Sequence, residues 1–97
     1  MGKATLIEPA DNMEGLMSTI SPKNGEYFEL KELQEIVGGY IEIIRIDDAH
    51  IMVLNEYGKD GLPINHVATA IARITEAIMP TDYICGDVVY CKTEMVP

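Results

Sequence analysis

Two adjacent glycines, Gly38 and Gly39, divide the stretch that most constrains this chain, ELKELQEIVGGYIEIIRI. Before them Leu30, Leu33, Ile36 and Val37 fall at i, i+3, i+6 and i+7, which puts them on one helical face. Lys31, Glu32, Gln34 and Glu35 cover the other face. Gly38 stands where a left-handed C-terminal cap is wanted, and Gly39 gives a sharp exit. Glu29 is a poor N-cap, because Ser, Thr, Asp or Asn normally supplies the capping oxygen. After the glycines, residues 40–46 are β-branched and aromatic, a strand with Glu42 and Arg45 on opposite faces.

The remaining segments extend this alternation. Residues 4–8 (ATLIE) read as a first strand, closed by Pro9. Residues 10–21, with Gly15 and two methionines, lack periodicity and read as irregular, with room for one helical turn. SPKNG at 21–25 is a turn signal, since Asn-Gly tolerates a left-handed backbone, and 26–28 add a short extended piece. Residues 51–54 (IMVL) follow strand 40–46 after the polar link DDAH, which makes a β-hairpin. YGKDG at 57–61 is a second turn cluster. Asn65 is a strong N-cap, and beyond it Val67, Ile71, Ile74 and Ile78 run at i, i+4, i+7 and i+11 in a helix stopped by Pro80. Residues 84–91 (ICGDVVYC) form a last strand, broken at Gly86-Asp87, and the tail 93–97 is expected to fray. The expected fold is α+β: a small, mostly antiparallel sheet of about four strands with two helices on one face. Its 97 residues suit one domain, with 1–21 as an irregular extension, 22–92 as the core and 93–97 as a tail.

Charge narrows the function classes. Sixteen acidic residues against seven basic ones leave a net charge of −9. Such a field repels nucleic-acid phosphates and membrane surfaces, so neither is expected as a direct partner. The acids are scattered, and their first role is to keep a small domain soluble. The apolar span at 4–8 is too short for a signal peptide, no run approaches the roughly 20 residues that cross a bilayer, and MGKATL lacks the Ser or Thr of a myristoylation signal. A soluble cytoplasmic protein is expected. Two cysteines, Cys85 and Cys91, are too few for a disulfide framework and read as buried thiols.

Catalytic patterns are sparse. There is no G-x-S-x-G, no phosphate-binding G-K-[ST] loop and no G-x-G-x-x-G. His50 lies beside Asp47 and Asp48, but adjacent residues in one turn rarely converge on a metal. The two carboxylates would point apart in extended structure. No enzyme activity, metal or cofactor is expected. The best candidate site is the segment NEYGKDGLPINHVAT. A helix N-terminus at Asn65 and His66 carries free donors and a partial positive charge that suit an anion. Lys59 stands in the preceding loop, Arg45 in the hairpin that leads to it, and Asn55 ends that hairpin. Among Tyr27, Tyr40, Tyr57, Tyr83 and Tyr90, Tyr57 stands out for its place in the turn, where it can stack on a ligand.

ELQEIVGGYIE, VLNEYGK, GLPINHVATAI and GDVVYC occur here in an order that resembles a family of small proteins of unknown function found in bacteriophages, plasmids and the bacteria that carry them. The resemblance covers residues 22–92, and ELQEIVGGYIE and the L-P-x-N-x-x-A-T element (Leu62, Pro63, Asn65, Ala68, Thr69) are its specific parts. It implies a mobile-element origin and no known catalytic residues. The expected function is therefore a non-enzymatic accessory protein, a homo-oligomer that sequesters a small anionic nucleotide-type signal in counter-defence. Arg45, Asn55, Tyr57, Lys59, Asn65 and His66 would bind that ligand. The alternative is an acidic inhibitor of a basic host defence protein, with Glu32, Glu35, Glu42, Asp47 and Asp48 mimicking nucleic-acid charge. A third option is a structural accessory of the element.

Overall fold

The computed structural model describes residues 2–10 and 16–97. The chain runs β1 (Ala4–Glu8), β2 (Leu16–Ile20), α1 (Leu30–Val37), β3 (Ile41–Arg45), β4 (His50–Asn55), α2 (His66–Ile74) and β5 (Val88–Lys92), with 3-10 turns at Gly58–Asp60 and Thr93–Met95. The strands form one five-stranded sheet in the order β2-β1-β5-β4-β3. Every neighbouring pair is antiparallel. The α+β class is thus as expected, with one strand more than the sequence suggested.

The additional strand is β2. Residues 16–20 read as irregular in sequence because LMSTI has no alternation, and indeed almost every position is exposed. The chain forms a strand there because β1 supplies a paired edge, with Ala4 opposite Ile20 and Glu8 opposite Leu16. The helical turn expected within 10–21 falls partly on 11–15, which lie outside the described residues. No strand forms at 26–28. Instead the Phe28 amide donates to the Met95 carbonyl at 2.8 Å. That bond, with Met95 buried against Phe28 and Val89, docks a tail that was expected to fray.

The helices lie on opposite faces of the sheet, not on one. The pleat sends successive side chains to alternate faces. On β4, Ile51 and Val53 join Leu33 and Phe28, whereas Met52 and Leu54 join Ala68 and Ala72. β5 splits the same way, Val89 and Cys91 facing α1 and Val88 facing α2. A strand covered on both sides carries a continuous apolar run, and IMVL is such a run.

Both helix ends follow side-chain chemistry. At α1, Gly38 takes φ 81° and its amide donates to the Gln34 carbonyl, while Glu29 makes no capping bond. Leu33 and Val37 are buried, and Leu30 is left exposed. At α2 the helix stops at Ile74, well before Pro80. Thr75 Oγ1 donates back to the Ile71 carbonyl at 2.8 Å, and Glu76 takes φ 60°, the left-handed position usually given to glycine. Ile74 is consequently exposed, while Ile78 still packs against the α2-side core from beyond the helix. No helix among the described residues is long and apolar enough to cross a membrane.

Candidate functional site

The segment 55–69 is pinned to the rest of the molecule at both ends. At its start Asn55 Nδ2 donates to the Val37 carbonyl at 3.0 Å, and Asn55 Oδ1 accepts from the Tyr57 amide at 2.8 Å. The Glu56 amide donates to the Tyr40 carbonyl at 2.9 Å. One side chain and one backbone bond therefore clip the α1–β3 turn to the loop after β4. A Cβ on Gly39 would lie 3.1 Å from Asn55 Nδ2, and one on Gly58 would lie 2.7 Å from the Cys85 carbonyl oxygen. Gly58 thus lets the loop approach the 84–86 backbone, which no side chain would permit.

At its far end the segment is locked by Asn65. The residue is fully buried. Its Oδ1 caps α2 by accepting from the Ala68 amide at 3.1 Å, and its Nδ2 donates to the carbonyls of Ile7 and Gly86, both at 2.9 Å. Two donors and one acceptor are all in use, so the amide has no donor left for a ligand. Thr69 Oγ1 accepts from the Ile84 amide at 2.9 Å. Asn65 and Thr69, the polar residues at the end of the stretch LPINHVAT, are therefore structural, and Asn65 cannot reach an anion.

Of the other expected site residues Arg45 stands apart, whereas Asn55 and Lys59 line one cleft. Arg45 pairs with Ile51 and Asn55 with Ile41, which places them at opposite ends of the β3–β4 hairpin, about 13 Å apart along the strands. The Arg45 guanidinium reaches Asp48 at 3.0 Å instead. Asp47 accepts from the amides of Ala49 and His50 and contacts the His50 ring at 3.0 Å, and these bonds hold its carboxyl below the usual range. His50 also stacks on Tyr90 with ring centroids 5.3 Å apart. The Asp47, Asp48 and His50 trio is thus a turn clasp. No group of three or more His, Cys, Asp or Glu able to hold a metal occurs among the described residues. His66 opens α2 half-buried.

Lys59 sits over the Tyr83 ring at 4.8 Å and pairs with Asp82. The Asp82 hydrogen bond raises the Lys59 pKa, and the same bond lowers that of Asp82. The Arg73 guanidinium donates to the Asp82 carbonyl at 2.9 Å. The cleft lined by Lys59, Asp82 and Tyr83 has a volume of about 100 Å³, small against the roughly 300–1,000 Å³ of ligand pockets.

A larger cleft opens where the two clipped turns meet. Gly38, Gly39 and Tyr40 line it from the α1–β3 turn and Asn55, Tyr57 and Leu62 from the loop after β4, with a volume of about 310 Å³. Tyr40 is 67% and Tyr57 59% exposed. Of the expected ligand-binding residues, the structure brings Asn55 and Tyr57 together here, and adds Tyr40, Leu62 and Asp60. The signal for these lay in the sequence: GGY, NEYG and GL sit in three of the segments that suggested the resemblance, and they meet at this cleft.

Fold and site define a small α+β domain, an antiparallel sheet between two helices with a preformed aromatic cleft at one margin. The chain belongs to DUF3846, a domain of unknown function, whose family model matches residues 3–95. The match begins ahead of β1 and so takes in both β1 and β2. Comparison with curated proteins and with solved structures gave no match.

Proposed function

We propose that the chain is a non-enzymatic binding module of a phage or related mobile element that occupies a basic host protein through the Tyr40–Tyr57 cleft. The observation that carries this reading is the pair of tyrosines held out to solvent by a pinned backbone. Exposed aromatics on a rigid support cost little entropy on binding and are common interface anchors. Beside them Asp60 and Glu56 are exposed, in a chain of net charge −9 that steers a cationic partner. Capture of a nucleotide-type signal, the reading first suggested by the sequence, keeps support from the same tyrosines as stacking faces and from the cleft volume. It has weaker support in charge, since Arg45 and Lys59 are each paired with an aspartate.

The test is recovery of the tagged chain from infected host cells, analysed intact by native mass spectrometry, beside a Tyr40→Ser/Tyr57→Ser variant. A basic protein held by the wild type, released by salt and absent from the variant supports the proposal. A small molecule retained on the wild type and lost from the variant replaces it with the nucleotide reading. Equal recovery of either by both chains rejects the cleft.

A further inference from the structure

Strand β2 occupies the sheet margin opposite the cleft. It pairs with β1 along one side, and no other described strand lies on its second side. Natural sheets guard such edges with charge, proline or a bulge. The other margin follows that practice: β3 carries Glu42 and Arg45. β2 does not. LMSTI has no charged residue, in a chain where 24% of residues are charged, and Leu16 and Met17 are 59% and 58% exposed.

We propose that β2 pairs antiparallel with β2 of a second copy of this chain, about a twofold axis through Ser18, to make one continuous sheet with five strands from each copy. The strand is complementary to itself in this register. Leu16 meets Ile20 of the second copy, Met17 meets Thr19 and Ser18 meets Ser18. Because the side-chain period is two, the register also conserves faces. Leu16, Ser18 and Ile20 stand opposite Glu8, Leu6 and Ala4, on the α1 side. Each Leu16 therefore lands beside an Ile20 that already packs against the cluster of Ala4, Phe28 and Met95. The apolar layer beneath α1 continues across the junction.

The same operation fails at the other margin. Centred on Ile43 of β3, it sets Ile41 against Arg45 and Glu42 against Ile44, placing charges over isoleucines and drawing Arg45 from Asp48. Charge also favours the β2 edge, where the paired residues Leu16–Ile20 bring no carboxylate of their own to a junction between two chains of net charge −9. A five-residue junction is small, so the dimer forms and dissociates with concentration. Added salt screens the repulsion between copies and strengthens it, the opposite of the salt response proposed for the basic partner. Success or failure here is thus separable from that of the cleft, which lies at the other margin.

Sedimentation velocity across a concentration series tests the junction. The wild type should move from 10.7 kDa towards twice that mass as concentration rises, and at lower concentration in higher salt. Leu16→Lys/Met17→Lys should remain at 10.7 kDa throughout with an unchanged circular dichroism spectrum. Thr19→Lys, a single change at an exposed position, gives the same reading if the double variant unfolds. Ile43→Lys, on the opposite margin, should dimerise like the wild type. A wild type that stays monomeric, a dimer indifferent to lysines in β2, or one abolished by Ile43→Lys overturns the proposal.

Discussion

Asn65 Nδ2 donates to the Ile7 carbonyl at 2.9 Å across 58 residues of sequence, tying the first turn of α2 to β1. The same side chain holds Gly86 and caps the helix. Three otherwise separate segments are thereby joined at one buried amide, and this explains why an asparagine sits in the segment that looked most like a ligand loop.

Asn65→Ala should destabilise the protein by about 2–4 kcal/mol, since it removes the cap and leaves two buried carbonyls without donors. Asn65→Asp should cost at least as much, because a carboxylate cannot donate to either carbonyl. Urea unfolding followed by circular dichroism measures both. A cost below that of an ordinary exposed cap would show that the three bonds are not made together.

Gly58→Ala should cost about 1–3 kcal/mol, because its Cβ would approach the Cys85 carbonyl oxygen to 2.7 Å and the obstacle is backbone. Gly39→Ala meets the end of the Asn55 side chain at 3.1 Å and should cost less. Its effect should instead appear at the cleft, as weaker binding when Asn55 shifts. Thermal unfolding of the two variants gives the ranking; the reverse order would contradict the geometry.

Two carboxyls should respond to pH with opposite signs. Burial, helped by the Glu8 charge, raises the Asp87 pKa above 3.8. Its contribution is therefore fully present below that value and is lost as pH rises through the higher folded value. Asp87→Asn should raise the unfolding midpoint at neutral pH and lose this advantage below pH 3.8. Asp82 is lowered, first by Lys59, so its contribution is present above 3.8 and lost as pH falls through the folded value. Asp82→Asn should accordingly lower the midpoint at neutral pH and differ little from wild type in strong acid. Midpoints collected across the acid range decide both signs.

Neither thiol should react readily in the folded protein. Burial raises the Cys85 pKa and pushes Cys91 up to about 11, so little thiolate exists at mildly alkaline pH. A disulfide reagent should label both free cysteines quickly in denaturant and slowly without it. Rapid labelling of the native chain would place a thiol at the surface.

Tyr40→Ser and Tyr57→Ser should each change stability by no more than about 0.5 kcal/mol, given their exposure. A larger loss would show that the tyrosines hold the fold rather than await a partner.

The elements whose signals are local were legible in the sequence. ATLIE forms the strand Ala4–Glu8 as read, Gly38 takes its left-handed cap, a polar turn around Asp47 and Asp48 joins two strands, with His50 already in the second, and Asn65 caps α2. Each depends on the conformational range or hydrogen-bonding reach of residues within a few positions. The end of α2 was missed because Glu76, not a glycine, takes the left-handed position.

What tertiary structure alone decided is how those elements meet. β2 is a strand because β1 offers an edge, the tail is ordered because Met95 fits against Phe28, and β5, far along the chain, inserts between β1 and β4 with a helix packed over each face. The sequence determines by its periodicity which side chains share a face, and through its caps and turns where most elements stop. It does not reveal which distant backbone will satisfy a polar side chain. Asn65 therefore read as a free donor at a helix end, and only the approach of Ile7 and Gly86 committed it to the interior.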